Sequence, residues 1–123
     1  MDAPNITIEE KILALKGPIL IFGGSGFIGA NLLNTILNYR QDCFAIVRTT
    51  ASLWRLELLK INKENIIYCD ITDRQTLATI FNSLKPKTIF NLAAYGSNSE
   101  ETDSDIIYQT NLIGTLNILN ESN

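Results

Sequence analysis

The chain has 123 residues, 46% hydrophobic and 19% charged, which suits one compact domain with a moderate core and leaves no room for a second lobe. It contains no histidine, which excludes a Ser-His-Asp triad, a Cys-His dyad and a histidine-based metal site, and no apolar run approaches the length of a bilayer span. The net charge of −3 is unevenly spread: Glu100, Glu101, Asp103, Asp105 and Glu121 all follow Lys87, the last cation, so no nucleic-acid surface is expected.

Met1-Asp2-Ala3-Pro4 shows no basic stretch leading into an apolar core, so no secretory signal is expected and a cytoplasmic setting is the default. Residues 1–16 read as a short helical extension. Its helix is predicted over Thr7 to Leu15, with Thr7 or Asn5 as cap and Glu9 and Glu10 in the first turn. Gly17-Pro18 ends it and launches a first strand, Ile19 to Phe22.

A glycine cluster follows at once, Phe22-Gly-Gly-Ser-Gly-Phe-Ile-Gly29, and opens onto the helical spacing of Leu32, Leu33, Ile36 and Leu37. Two phosphate-loop templates fit: Gly24-x-Gly26-x-x-Gly29, the dinucleotide fingerprint, and Gly23-x-x-Gly26-x-x-Gly29, its extended variant. Either way a strand turns sharply into a helix, the backbone approaches an anion with no Cβ in the way, and the helix packs closely on the strand it has left. Glycine-rich turns are common, so the loop gains meaning only from its surroundings.

The helix from about Gly26 to Tyr39 leads to a second strand, Cys43–Val47, short and apolar as in a strand buried on both faces. A helix is predicted over Ser52 to Ile61, then a third strand over Asn65 to Asp70. Asp73 caps the next helix, which carries Leu77, Ile80, Phe81 and Leu84 at helical spacing. Pro86 precedes a fourth strand, Thr88–Leu92. A polar loop, Ser97–Thr102, leads to a long final helix from about Ser104 to Asn120, with Asp103 and Asp105 favouring its N-terminal dipole and an apolar face of Ile107, Leu112, Ile113, Leu116 and Leu119. Cys43 and Cys69 both fall in predicted strands and read as reduced core thiols.

Alternating strands and helices with short connections predict an α/β fold, a doubly wound parallel sheet in strand order 3-2-1-4 with helices on both faces. A ligand is expected outside the carboxyl ends of strands one and four, where the glycine loop and Leu92-Ala-Ala-Tyr-Gly96 meet. The second strand ends Val47-Arg48, with a cation near the place where a carboxylate would hold a free 2′-hydroxyl. This favours NADP and leaves NAD possible; a solvated strand terminus is the plainer reading of Arg48, and Arg55 has a weaker claim to the same role. Asp70-Ile71 can serve an adenine, by accepting from its amino group and covering its ring, and can equally form a turn and cap with Thr72-Asp73. Leu92, Ala93 and Ala94 let a flat cofactor lie against backbone or simply fit a crowded crossover. Gly114, inside a helix at a cost of about 1 kcal/mol relative to Ala, signals a close approach by another element.

Gly-Gly-Ser-Gly-Phe-Ile-Gly-Ala at 23–30, Cys-Asp-Ile-Thr-Asp at 69–73, Lys-Pro-Lys-Thr-Ile-Phe-Asn-Leu-Ala-Ala at 85–94 and Asn-Leu-Ile-Gly-Thr-Leu-Asn-Ile-Leu at 111–119 together resemble the extended short-chain dehydrogenases/reductases, the NAD(P)-dependent epimerase/dehydratase family. The resemblance covers roughly 17–122 and implies the N-terminal part of a Rossmann domain over 17–123, ending before the catalytic half and the substrate lobe. It implies that Gly23, Gly26 and Gly29 shape a loop whose backbone amides from Ser25 through Phe27 to Ile28 bind the pyrophosphate. It further implies that Asp70 and Ile71 meet the adenine, that Leu92, Ala93 and Ala94 line the path to the nicotinamide, and that Asn111 helps organise the catalytic centre through the helix backbone and bound water. Arg48 to Arg55 more loosely resembles members acting on nucleotide-linked sugars. Phe22 and Asn91 depart from the family's usual threonine and histidine.

The family's chemistry uses a tyrosine whose phenol is lowered in pKa by a lysine four positions on. Four residues after Tyr39, Tyr68, Tyr95 and Tyr108 stand Cys43, Thr72, Ser99 and Leu112, so the pair is expected downstream and this chain is expected to be inactive alone. The resemblance thus implies the cofactor-binding segment of an oxidoreductase, epimerase or dehydratase acting on a nucleotide sugar by hydride transfer. The alternative is a non-catalytic dinucleotide-binding module or subunit. No catalytic residue, metal, nucleic acid or membrane is assigned, and self-association is expected through the open edge of the fourth strand and the apolar face of the last helix.

Overall fold

The computed structural model describes residues 4–96 and 98–123. Its elements run α1 (Ile8–Ala14), β1 (Ile19–Phe22), α2 (Phe27–Leu37), β2 (Cys43–Val47), α3 (Trp54–Leu58), β3 (Ile66–Tyr68), α4 (Arg74–Leu84), β4 (Thr88–Asn91), α5 (Ser104–Tyr108), a π-helical stretch (Gln109–Gly114) and α6 (Thr115–Glu121). The four strands form one sheet in the order β3-β2-β1-β4, all pairs parallel, as expected. Ile19 faces Cys43 on one side and Thr88 on the other, which brings the ends of β1, β2 and β4 level.

Strand alternation divides the core between the two faces of the sheet. Ile19, Ile21, Cys43, Ala45 and Val47 face Ala30, Leu33 and Ile36 of α2, with Ile12 of α1 and Leu56 of α3. Leu20, Phe22 and Ile46 face Leu77, Ile80 and Phe81 of α4 and Ile118 of α6, with the Phe22 and Phe81 rings stacked at 6.4 Å. As the strand with neighbours on both sides and helices on both faces, β1 is completely buried along its length.

Thr7 caps α1 through a reciprocal pair: the Glu10 amide donates to Thr7 Oγ1 (3.1 Å) and the Thr7 amide donates to Glu10 Oε2 (3.0 Å). The other end of α1 is held by Arg40, whose guanidinium donates to the Ile12 and Leu15 carbonyls (2.9 and 2.6 Å) while pairing with Asp42 at 2.6 Å. Asp73 caps α4, accepting from the Thr76 amide, and Asp103 caps α5, accepting from the amides of Asp105 and Ile106.

Four elements differ from expectation. The helix predicted over 52–61 is confined to Trp54–Leu58, because Lys60 takes a left-handed φ of 56° that stops it. The third strand begins at Ile66 rather than Asn65, whose buried side chain instead donates to the carbonyls of Gln41 and Cys43 (3.1 and 2.9 Å), and it ends before Cys69. The fourth strand ends at Asn91, although the Leu92 amide still donates to the Phe22 carbonyl at 2.9 Å. The last helix contains the π stretch, and the face it turns inward carries Gly114, Asn117 and Ile118. Leu112, Ile113, Leu116 and Leu119 are exposed, as expected for the apolar face of this helix. Ser97, the first residue of the expected polar loop, lies outside the described residues.

Candidate functional site: a cleft at the carboxyl end of the sheet

The corner between β1 and α2 divides three tasks among three glycines. Gly23 has φ of 75°, and a Cβ there would stand 2.6 Å from the carbonyl carbon and oxygen of Leu92, so the chain turns in a left-handed conformation directly against the end of β4. A Cβ on Gly29 would collide with the Gly23 carbonyl oxygen and come within 2.9 Å of Gly24 Cα, which shows how tightly α2 is seated on the turn. Gly26 is different. Its Cβ would meet only the Gly23 oxygen at 3.4 Å, and otherwise project into open space. Gly24 is as constrained as Gly23, since a Cβ there would collide with Ala45 Cβ and stand 2.9 Å from Ala45 Cα, so the corner satisfies both glycine templates.

Gly26 is also the N-cap of α2, with no side-chain cap bond, and the first turn of α2 contains no acidic residue. The amides of Phe27, Ile28 and Gly29 occupy the first three helical positions, where no carbonyl of the helix can reach them. Unpaired donors and the positive end of an eleven-residue helix therefore converge with no counter-charge of their own.

In front of this corner lies a cleft of about 260 Å³ lined by Gly23, Ser25, Gly26, Ile46, Val47, Arg48, Cys69, Asp70, Ile71, Leu92, Ala93, Ala94 and Thr110. It sits across the carboxyl ends of all four strands, at the point where chain order reverses between β1 and β4. Nine of the thirteen residues proposed from sequence line it. Phe27 and Ile28 do not: their side chains are 71% and 66% exposed and border an apolar groove against α1, so only their backbone amides belong to the corner. Gly29 lies buried beneath the turn.

Asn111 is outside the lining as well. Its side chain is committed to the β4 loop, accepting from the Tyr95 amide at 2.9 Å and donating to the Tyr95 carbonyl at 2.7 Å. Arg55, the weaker second cation, stacks on Trp54 with its guanidinium 4.5 Å from the ring centre and borders a separate groove with Phe27 and Leu58. Ile46, Val47, Cys69 and Thr110 were not foreseen; each adjoins a named position or closes a strand, and that adjacency was the available signal.

The two carboxylates of the Asp70–Asp73 turn have separate tasks. Asp70 Oδ1 accepts from the Thr72 amide and hydroxyl (2.9 and 2.7 Å), and Oδ2 has no partner among the described residues. The Thr76 hydroxyl and amide hold the Asp73 carboxyl below its usual range. Burial, with Asp73 and Asp70 adding repulsion, pushes the Cys69 thiol up to about 11; burial likewise pushes Cys43 up to about 12. Neither cysteine is a nucleophile at neutral pH. With Arg48, Cys69 and Asp70 as its titratable groups, the cleft has unpaired amides for an anion, one cation at the end of β2, and an apolar wall with a free carboxylate oxygen at the end of β3. It is equipped to bind an anionic ligand with a flat base. Among the described residues no helix is long and apolar enough to cross a membrane.

A parallel 3-2-1-4 sheet with a glycine corner at its switch point defines a Rossmann-type nucleotide-binding unit. The family profile described as GDP-mannose 4,6 dehydratase matches residues 20–122. The chain is 32% identical over 108 residues to a UDP-glucose 4-epimerase of Yersinia enterocolitica, covering 84% of this chain and 32% of that protein. It is 34% identical over 110 residues to a dTDP-glucose 4,6-dehydratase of Escherichia coli, covering 85% and 30%. Among solved structures, epimerase Mth375 of Methanothermobacter thermautotrophicus superposes with a TM-score of 0.78 over 98% of this chain and 36% of that one, at 24% identity. The Bordetella bronchiseptica enzyme WbmG in complex with NAD superposes with a TM-score of 0.72 over 85% and 33%, at 26% identity. The chain belongs to the NAD(P)-dependent epimerase/dehydratase family of extended short-chain dehydrogenases/reductases, and corresponds to its N-terminal portion. It spans about a third of the length of the relatives it matches.

Proposed function

We propose that this chain is the dinucleotide-binding segment of an enzyme that epimerises, dehydrates or reduces a nucleotide-linked sugar in the cytoplasm. The observation that carries the proposal is the glycine corner: unpaired amides facing a cleft that a Cβ on Gly26 would partly fill. A nicotinamide dinucleotide, when bound, supplies the hydride acceptor and donor. The residues here bind and orient it. The amides of Ser25, Phe27 and Ile28, with Gly23, Gly26 and Gly29 shaping the turn, would hold the diphosphate. Asp70 Oδ2 would accept from the adenine amino group while Ile71 covers the ring, and Leu92, Ala93 and Ala94 would flank the path toward the nicotinamide.

Arg48 at the lip of the cleft, with no carboxylate at the end of β2, favours a 2′-phosphate and hence NADP. NAD remains compatible with the same corner, and WbmG carries NAD. Hydride transfer would call on a Tyr/Lys pair outside these 123 residues, since none of the four tyrosines has a lysine four positions later. The second reading is a dinucleotide-binding module without catalysis. Asn111, holding the Tyr95 backbone, would keep the β4 loop in place beside the cleft. The exposed Leu112, Leu116 and Leu119, together with the open edge of β4, would support self-association.

Titration with NADPH and NADH, followed by nucleotide fluorescence, tests the binding reading. Saturable binding of either supports it, and absence of both refutes it. Addition of UDP-glucose and dTDP-glucose to the NAD(P)-loaded chain tests its expected inactivity: turnover of either sugar nucleotide would exclude the module reading.

A further inference from the structure

We infer that Asn117, acting together with Gly114, is a positioning residue that sets the base-binding wall of the cleft; the inference rests on the dinucleotide reading above. Asn117 lies 46 positions from Ile71 and is only 5% exposed, yet its Nδ2 donates to the Ile71 carbonyl at 3.0 Å. One turn earlier, a Cβ on Gly114 would overlap Ile71 Cδ1 and stand 2.5 Å from Cγ1. The last helix therefore grips Ile71 twice, by its carbonyl and by its side chain.

Ile71 is the residue most in need of such a grip. It is 6% exposed, lines the cleft and follows Asp70, whose Oδ2 is the free acceptor. The other hydrogen bonds of this turn are local: the Thr72 amide and hydroxyl to Asp70 Oδ1, the Asp73 amide to the Asp70 carbonyl, and Thr76 to Asp73. Local bonds fix the shape of a turn but not its placement over the sheet. Asn117 and Gly114 supply the placement from a separate element. The same helix reaches the cleft at Thr110 and ties the opposite wall through Asn111 and Tyr95, so one helix spaces the two walls.

The helix spacing explains why these residues share the task. Thr110, Gly114 and Asn117 recur at intervals of four and three, one face of a helix, and that face is buried at Gly114, Asn117 and Ile118. An alanine at 114 would push Ile71 toward the cleft. An alanine at 117 would release the Ile71 carbonyl and leave it buried without its donor.

The test reads discrimination between bases, which a general loss of stability would not change. Calorimetric titration of the chain with NADP and with its hypoxanthine counterpart compares a 6-amino group with a 6-oxo group facing Asp70. The wild type is expected to prefer the adenine form by roughly tenfold, the worth of about one charge-assisted hydrogen bond. In Asn117→Ala and Gly114→Ala the preference falls to about threefold or less. A far-UV spectrum confirms that each variant is folded. In the wild type, the Asn117 side-chain amide signal in a 15N spectrum moves on addition of AMP and stays put with ribose 5-phosphate; this arm holds even when a variant does not fold. Undiminished preference in folded variants, or an Asn117 signal indifferent to AMP while the glycine-corner amides respond, overturns the inference. Failure of the wild type to bind NADP or AMP at all refutes instead the dinucleotide reading beneath it.

Discussion

Gly26→Ala separates binding from folding, and its outcome can be worked from the geometry. Gly26 carries ordinary extended backbone, φ −73° and ψ 175°, and its new Cβ would touch only the Gly23 oxygen at 3.4 Å. As an N-cap, alanine costs about 0.5–1 kcal/mol relative to glycine. Its smaller unfolded-state entropy returns about 0.4–1 kcal/mol. The two offset each other, so the thermal midpoint is expected to move by no more than roughly 2 °C. The methyl group, however, stands in the mouth of the cleft, where a diphosphate must come within hydrogen-bond distance of the corner amides. Losing even one amide–phosphate bond, about 2 kcal/mol, weakens binding by roughly 30-fold. Gly29→Ala is the control. Its Cβ meets backbone that cannot move aside, and a net loss of about 2 kcal/mol should lower the midpoint by roughly 6–10 °C. Thermal melts with and without NADPH, paired with fluorescence titration, read both quantities. Unchanged NADPH affinity in Gly26→Ala, or a midpoint drop equal to that of Gly29→Ala, would refute the division of labour among these glycines.

Four further outcomes follow from other parts of the molecule. Arg48→Ala should lower NADPH affinity by about tenfold and leave NADH unchanged in fluorescence titration; equal wild-type affinities for the two would remove the 2′-phosphate role. Both thiols have folded-state pKa values raised above 9.0, so their contribution to stability is complete below that pH and is lost as pH rises toward about 11 for Cys69 and about 12 for Cys43. Urea melts should therefore show stability falling above pH 9 by about 1.4 kcal/mol per pH unit for each thiol, and a Cys43→Ala/Cys69→Ala chain should show a flatter profile. Arg40→Leu leaves the Ile12 and Leu15 carbonyls without their donor and Asp42 without its partner; a loss of about 2 kcal/mol and faster proteolytic cleavage near residue 16 are expected, while intact protection of α1 would contradict its anchoring role. Sedimentation should show association of the wild type at high concentration that Leu116→Glu abolishes, and a wild-type monomer throughout would exclude the exposed leucines as an interface.

The sheet was legible because its signals are local and redundant. Short apolar runs at Ile19–Phe22 and Cys43–Val47 can only be central strands when glycine and helix-period segments lie between them, and chain order then dictates 3-2-1-4. The glycine corner was legible for the same reason, although the neighbours that require its glycines, Leu92 against Gly23 and Ala45 against Gly24, come from segments distant in sequence. The last helix was legible in part: its apolar face was expected to be exposed and Gly114 to mark a close approach, and both are found. What stayed hidden was the neighbour: close approach to the Asp70–Asp73 turn demands a small residue and a donor, so Gly114 and Asn117 turn inward. No periodicity of apolar residues reports a requirement set by another segment's carbonyl. Asn65 shortened its strand through particular bonds of the same long-range kind, whereas Lys60 ended its helix locally, by its left-handed backbone.

The central claim, that main-chain donors at the β1–α2 corner hold a diphosphate, is tested most directly by 15N amide shifts during titration with NADP. The largest changes are expected at Ser25, Phe27, Ile28 and Gly29, with smaller ones at Ile71 and Ala93. Saturation of binding with those corner amides unmoved and the changes gathered elsewhere on the sheet would contradict it.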